Sequence, residues 1–455
     1  NGVRAAQGSV TGPWAAVGRH RAALSHIQHR HDPDIVAFPE PGVFSNMSGA
    51  LGDPEWSGVI VVHEFVTGGG VKGGEAPQSW RIEGEAMRRA LAREFAAVGP
   101  AVRVMATRDA TMRGSSEAET TPRQQVFDCP VGGTAPDERA VLEDLAARPE
   151  TLGVVVVAPE TDGILAERAE WVNRIAPGRW LGASVSAIRR CGDKLALERS
   201  WRSRGMPTPP SRVIEAGRPL REWLETREGG GSRVLPFPIV VKPLDGAGCW
   251  LTRRFATPEA IPEGWRPERR SLVQPWRRGI PASALVLGTP TRGATVLTWG
   301  RQGIDLDDQG RLGYRGGVLP WRCRPGKAIE GATRAASEVV DGLNGLFGLD
   351  FLCSELTEGT TITMSAEARD LVREWEWIEI NPRPTTSCVA LIDLLSRSHW
   401  PVTRAGDLGR AWLAAVFHDD PAPAQRLRDA LAGVPPTWAI HFNAAGQEEP
   451  EGPMD

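Results

Sequence analysis

The sequence predicts two kinds of body in one chain: a parallel α/β domain first, then a larger α+β region built mainly of short, hairpin-connected strands. Three observations lead there. Between about residues 58 and 157, apolar runs of strand length alternate with amphipathic helical stretches, the pattern of a parallel sheet with crossover helices. After residue 188 the pattern changes to short strands separated by Gly- and Pro-rich turns. The length of 455 residues, with 41% apolar and 24% charged residues, is enough for two or three lobes around substantial cores.

Residues 1–55 mix Gly, Pro, Arg and His without a sustained period, and read as a disordered extension. His26, His29 and His31 are a conceivable metal cluster there, but biased composition explains them better. Met47 is a candidate start, with residues 1–46 an extension ahead of it. Order begins with the strand Gly58–Phe65, broken by Gly68 to Gly70. A helix from about Ser79 carries Trp80, Met87, Leu91 and Phe95 on one face. The strand Ala101–Ala106, the helix Asp137–Ala147 and the strand Val154–Val157 complete a first domain over 56–187. A helix with Asp193 and Lys194 opens the second body, over 188–425. Its strands are Pro238–Pro243, Arg270–Gln274, Ala284–Leu287, Ala294–Thr298, Gly348–Leu352 and Trp375–Ile380, with a helix near Ala332–Leu346. Residues 426–455 read as a C-terminal tail, frayed after about Asn443.

Charge and composition exclude several classes. With 53 basic and 56 acidic residues the chain has no bulk positive charge for nucleic acid. No apolar run reaches the roughly 18–20 residues of a membrane span, and no secretory leader is apparent, so a cytoplasmic location is expected. The six cysteines are scattered with no C-x-x-C pair, which favours buried thiols over a metal knuckle. Lysine is the informative residue, because only Lys72, Lys194, Lys242 and Lys327 stand among the 53 basic residues.

No P-loop is present. Gly68-x-Gly70-x-x-Gly73 follows a strand, but Pro77 intervenes before the helix and no acidic residue follows at the dinucleotide spacing. A substrate-facing glycine loop is therefore expected rather than NAD binding. Lys242 ends a strand directly before Asp245-Gly-Ala-Gly248, offering a fixed cation and bare backbone N–H groups to polyphosphate. Asp350 ends one apolar strand. Glu379 and Asn381, at i and i+2 on another, point to one face. Two carboxylates and an amide oxygen make a hard-oxygen set suited to Mg²⁺ or Mn²⁺ held with phosphates. His63, Glu64 and Glu160 lie at carboxyl ends of the parallel strands, where ligands bind in such sheets, and with Arg315 are candidate substrate contacts.

In order along the chain, Asp193-Lys194, Val240-Val-Lys-Pro243 with Gly246-x-Gly248, the strand ending in Gln274, Asp350 and Glu379-Ile-Asn-Pro-Arg383 resemble the ATP-grasp superfamily. The resemblance covers about residues 150–395 and is sharpest at Glu379-Ile-Asn-Pro-Arg-Pro-Thr-Thr386. Within the superfamily the chain looks most like the tyramine–glutamate ligase group of methanofuran biosynthesis. The shared stretches are His63-Glu-Phe65, Ala158-Pro-Glu160, Leu181-Gly-Ala-Ser184, Arg301-Gln302, Gly316-Gly317 and Gly342-Leu-Asn-Gly345. The resemblance implies a pre-ATP-grasp α/β domain followed by a two-lobed ATP-grasp domain that clamps ATP.

By that resemblance Lys194 and Lys242 hold phosphates, and Gly246 and Gly248 form a lid. Gln274 and Trp276 belong to the adenine hinge. Asp350, Glu379 and Asn381 bind Mg²⁺, and Arg383 faces the transferred phosphoryl group. The implied activity joins a glutamate-like acid to an amine through an acyl phosphate, releasing ADP and phosphate. Three features depart from the family pattern: Pro275 replaces the hinge glutamate, Ile280 replaces the ribose-binding acid, and a charged insert spans Ser354 to Arg373. The altered hinge keeps open a second reading, a non-catalytic ATP-binding sensor on the same fold.

Overall fold

The run Gly58-Val-Ile-Val-Val-His-Glu64 forms β1 (Gly58–Glu64), whose last five residues are buried. A run of β-branched side chains without polar alternation fits a strand covered on both faces. After the helix α1 (Gln78–Ala96), β2 (Val102–Asp109), β3 (Val126–Val131) and β4 (Thr151–Val157) complete a sheet of order β3-β2-β1-β4, parallel throughout. The helix α2 (Glu138–Ala147) precedes β4, and α3 (Ile164–Ile175) follows it. The apolar runs predict three strands. The fourth, β3, is too polar to stand out, and its Pro130 is tolerated because the strand lies at the edge. The structure is a computed structural model that describes residues 55–71, 76–111, 125–226, 235–246, 248–322, 327–354, 374–397 and 403–449.

The helical stretch at 185–203 is two helices, α4 (Val185–Gly192) and α5 (Lys194–Ser203). Asp193 breaks it by capping α5, its side chain accepting from the Ala196 N–H. The break places Lys194 in the first turn of α5. Two antiparallel sheets follow. The smaller contains β5 (Arg212–Ile214), β6 (Ile239–Pro243), β7 (Arg253–Phe255) and β8 (Ser271–Pro275) in the order β5-β8-β6-β7. With α6 (Leu220–Glu225) it closes its own small core around Trp223, Val241, Phe255 and Val273.

The larger sheet has the order β13-β12-β9-β10-β11-β14. Its strands are β9 (Ile280–Gly288), β10 (Ala294–Leu306), β11 (Leu312–Leu319), β12 (Gly345–Cys353), β13 (Trp375–Asn381) and β14 (Ile440–Asn443). The helices α7 (Lys327–Ser337), α8 (Ser387–Leu395), α9 (Asp407–His418) and α10 (Ala422–Ala432) complete the body.

One hydrophobic core spans the parallel sheet, α1, α8, α9 and the larger antiparallel sheet, so the first domain is fused to the second. The contact has a polar pin: the buried Glu94 carboxylate on α1 accepts from the N–H groups of Gly406 and Gly409 at the start of α9, at 3.1 and 2.9 Å. The tail expected from residue 426 needs correcting. Leu427 and Leu431 of α10 are buried, and β14 pairs with β11 while burying Ile440 and Phe442. Short length and polar flanks hide this strand in the sequence. The extension before residue 55 with its histidines, Lys72 and Gly73, and nearly all of the charged insert lie outside the described residues. No helix among the described residues is long and apolar enough to cross a membrane.

The carboxyl end of β1 is structural rather than open to ligand, against expectation. His63 is fully buried; its Nδ1 meets Thr107 Oγ1 at 2.7 Å and its Nε2 meets Glu138 Oε1 at 2.8 Å. Arg168 donates to both Glu138 oxygens and lies over the Phe65 ring at 4.6 Å. The Glu64 carboxylate is saturated by the N–H groups of Val66 and Thr67 and by the Thr67 hydroxyl. The glycine turn after β1 faces inward too. A Cβ at Gly70 would lie 2.2 Å from the Phe65 ring, so close packing requires glycine there.

His63 and Arg168 hold the Glu138 carboxyl down at about 2 despite its burial. That depressed folded value means its contribution is complete above the ordinary 4.5 and is lost as pH falls toward 2. Glu138→Gln is expected to cost about 3–5 kcal/mol at pH 7, because it leaves a buried guanidinium underpaired. Urea unfolding measures this, and the difference from wild type should shrink below pH 4.

Candidate functional site

Between the two antiparallel sheets lies a cavity of about 380 Å³. Val240 and Lys242 of β6 and Gln274 and Pro275 of β8 line one wall. Gln302 and Ile304 of β10, Asp350 and Leu352 of β12, and Ile378 and Glu379 of β13 line the other. Most of the surface is apolar, and Lys194, Lys242, Asp350 and Glu379 gather at one end. This is the usual composition of a small-molecule site.

Strand pairing creates the charged end. Asp350 and Glu379 are directly opposed in the β12–β13 ladder. Asp350 accepts from Gln302 Nε2 at 3.2 Å and from Asn381 Nδ2 at 3.0 Å. Glu379 forms an ion pair with Lys194 at 3.2 Å, and Lys194 also donates to the Gly246 carbonyl. Burial and the facing Glu379 charge push the Asp350 carboxyl well above the usual range. Glu379 is held below its ordinary value, because Lys194, Lys242 and Arg383 outweigh its desolvation. Lys242 is buried, and its ammonium makes no hydrogen bond among the described residues. Burial lowers its ammonium to about 8, against the pull of Glu379. A buried ammonium without a hydrogen-bond partner beside two half-buried carboxylates leaves room for both an anion and a cation.

The turn after β6 supplies backbone. Gly248 has φ +60° with open space where a Cβ would stand, so it is there for conformation and not for packing. Cys249 at φ 62° and Leu251 at φ 55° continue this left-handed turn. Gly246, Cys249 and Trp250 line the cavity.

At the other end the hinge is only partly available to a ligand. Trp276 lines the cavity, with the Arg254 guanidinium 5.4 Å from its ring centroid, but its backbone N–H donates to the Pro238 carbonyl at 2.7 Å. The Gln274 amide is taken by the Pro209 carbonyl and Ser211 Oγ, at 3.3 and 2.7 Å. Arg277 and Glu376 form a two-pronged ion pair beside it, which the sequence gives no reason to expect.

Glu160 and Arg383 come together at 3.1 Å, joining the loop after β4 to the β13–α8 turn. Arg383 is within electrostatic reach of Asp350, Glu379 and Glu83. Arg315 is exposed and paired with Asp305, and does not line the cavity, so its expected contact with substrate is not supported. Gln302 belongs to the site although the sequence gave it no role.

Residues 191–387 match the ATP-grasp domain, and residues 102–188 match the pre ATP-grasp 3 domain. The chain carries a pre-ATP-grasp domain followed by an ATP-grasp domain. Similar solved structures include a biotin carboxylase–β,γ-ATP complex from Campylobacter jejuni, 11% identical over 83% of this chain and 72% of that one, with a TM-score of 0.50. An ATP-grasp superfamily protein from Archaeoglobus fulgidus is 20% identical over 77% of this chain and 87% of its own, with a TM-score of 0.49. An L-amino acid ligase from Bacillus licheniformis is 12% identical over 79% and 75%, also at 0.49. Identities this low bear on the fold alone. No curated protein matches the chain. The small four-stranded sheet and the six-stranded sheet are thus the two lobes of the ATP-grasp domain, and the parallel sheet is the pre-ATP-grasp domain.

The donor set fits a hard divalent cation. Among the described residues no three His, Cys, Asp or Glu side chains converge, which leaves two opposed carboxylates and the Asn381 amide, all oxygen donors. The raised Asp350 value is the cost of bringing them together without one. Because it is raised above the unfolded 3.8, stability falls as pH rises from 3.8 and the penalty is complete above about 7. Asp350→Asn is therefore expected to raise the melting temperature of the ligand-free protein at pH 8. The gain is about 2–4 °C for each kcal/mol of repulsion removed, and it should shrink steadily toward pH 4 in calorimetric scans.

Proposed function

We propose that the protein is an ATP-dependent carboxylate–amine ligase that joins a glutamate-like acid to a primary amine, releasing ADP and phosphate. The observation that carries this is the convergence of Lys194, Lys242, Asp350, Glu379 and Asn381 at one end of a mostly apolar cavity between two sheets. The apolar end accepts a base and the charged end a polyphosphate. The tyramine–glutamate resemblance supports an aromatic or aliphatic amine.

In this reading Lys242 and Lys194 hold ATP phosphates, and Gly246 and Gly248 cover them with backbone N–H groups. Asp350, Glu379 and Asn381 would hold Mg²⁺ or Mn²⁺, which supplies charge neutralisation to the phosphates when bound. Arg383 sits on the turn directly after the metal-binding strand and reaches both carboxylates electrostatically. It therefore stabilises the phosphoryl group as it passes to the acid. The acyl phosphate that results is open to attack by the amine without any covalent protein nucleophile. The amide nitrogen of Gln274 is already used twice, and the Trp276 backbone N–H is bonded to Pro238. Base recognition then rests on Trp276, Pro275 and the cavity walls, which predicts weak discrimination among purines.

A screen of ADP release tests the reading, with the amino acids crossed against primary amines in Mg²⁺ and in Mn²⁺. A ligase releases ADP only when acid and amine are both present, whereas a sensor on the same fold releases none above background. In the double variant Glu379→Gln/Asn381→Ala, stimulated release is expected to fall at least about 10²-fold, with the fold retained by circular dichroism. Full activity in that variant would remove the metal assignment.

A further inference from the structure

The β10–β11 hairpin leaves the large sheet and crosses the cleft. Among the described residues β9 pairs with β10 only as far as Arg301, so residues 302–306 run on with β11 alone beside them. An extra residue in β11, Arg315, shifts the register between Gly303 and Ile304. A bulge of this kind bends a hairpin. The tip is held in shape by Asp307. Its carboxylate accepts from the N–H groups of Gln309 and Arg311 at 2.9 and 2.8 Å, and from Arg311 Nε at 2.8 Å.

That tip lands on the small lobe. Leu312 N–H donates to the Thr252 carbonyl at 3.1 Å, and Arg254 N–H donates to the Gly310 carbonyl at 2.6 Å. Arg253 Nε donates to the Gln309 carbonyl at 2.7 Å, and Arg253 and Arg311 are bridge partners between these bonds. The hairpin thus pairs with β7, the outermost strand of the small sheet. Close approach requires glycine at 310: its φ is +77°, and a Cβ there would lie 2.1 Å from the Arg254 carbonyl oxygen. The same hairpin walls the nucleotide cavity through Ile304, Leu306 and Leu312. Leu306 is 45% exposed, an apolar surface left open at the cavity.

Residues 276–279, between β8 and β9, join the two lobes covalently. The hairpin is a second, non-covalent tie across the same cavity. Resting on the reading of that cavity as a nucleotide site, we infer that the β10–β11 hairpin is a clasp that must leave β7 before a nucleotide can enter or leave. Three hydrogen bonds at a sheet edge are few enough to open locally. Each lobe keeps its own hydrophobic cluster when they break. While they hold, the two walls of the cavity stay together and the bound nucleotide is kept from exchange and from water.

A reversible cross-link tests the clasp. Arg253 and Arg311 form a non-hydrogen-bonded antiparallel pair, in which Cα atoms stand about 4.5 Å apart, within the span of a disulfide. Arg253→Cys/Arg311→Cys is expected to close that disulfide on mild oxidation, as peptide mapping would verify. The single variants control for Cys249, which lies close to Arg253 in the chain. In the oxidised double variant, uptake of radiolabelled ATP in Mg²⁺, and release of ATP bound before oxidation, should slow at least about tenfold against the same protein reduced. Dithiothreitol should restore both rates. Gly310→Ala, which drives the tip off β7, should release ATP faster than wild type. Equal exchange in the oxidised and reduced forms, or release from Gly310→Ala no faster than wild type, overturns the clasp. So does a disulfide that fails to form, since the two strands then do not meet. A wild type that takes up no ATP, although the disulfide forms, instead overturns the nucleotide reading on which the inference rests.

Discussion

The chain brings two half-buried carboxylates face to face in a cleft between two sheets. Asp350 and Glu379 are register partners on adjacent antiparallel strands, so their proximity follows from the backbone ladder itself. Three cations surround the pair: Lys194 from a helix N-terminus, Lys242 from the facing sheet and Arg383 from the turn two residues past Asn381. Each cation partly offsets a repulsion that no rotamer can relieve. The fold therefore keeps an electrostatic arrangement that destabilises the free protein. Such local cost is common at sites prepared for ligands.

The surrounding architecture serves that arrangement. The small sheet has its own core and carries Lys242 and the left-handed turn at 248–251. The large sheet carries the acids and shares a continuous core with the pre-ATP-grasp domain. One wall of the cleft is thus anchored in most of the molecule, while the other is a light lobe. Lys194 connects them, bonding Glu379 on one side and the Gly246 carbonyl on the other. Thr161 and Asp162, just after β4, reach Asp245 in the same turn, so the first domain also steadies the lobe.

Much of this was legible in the sequence because it depends on local order. Strand-length apolar runs located β1, β4, β6, β8 and β13, and period 2 placed Glu379 and Asn381 on one face. Lysine scarcity drew attention to Lys194 and Lys242 before any geometry was known. What stayed hidden depends on long-range contacts. His63 and Glu64 sit where a parallel sheet presents ligand groups, yet Glu138 and Thr107 for the first, and its own turn for the second, consume their capacity. The strand β14 needed β11 to become visible, since four residues carry too little period. Gln302 acquires its role solely from the register of β10 beside β9 and β12.

The central claim is that Lys242 is the buried cation that receives a nucleotide phosphate. Trp250 and Trp276 line the cavity, so intrinsic fluorescence can report its occupation. Titrating ATP in Mg²⁺ against wild type and Lys242→Met measures the claim directly, the variant keeping the side-chain length and losing the charge. Loss of a partly desolvated charge-assisted contact is worth about 1.5–3 kcal/mol, which predicts affinity weakened from about tenfold to more than a hundredfold. Equal affinity in the two proteins would contradict the placement of the phosphates, and with it the reading of the cleft.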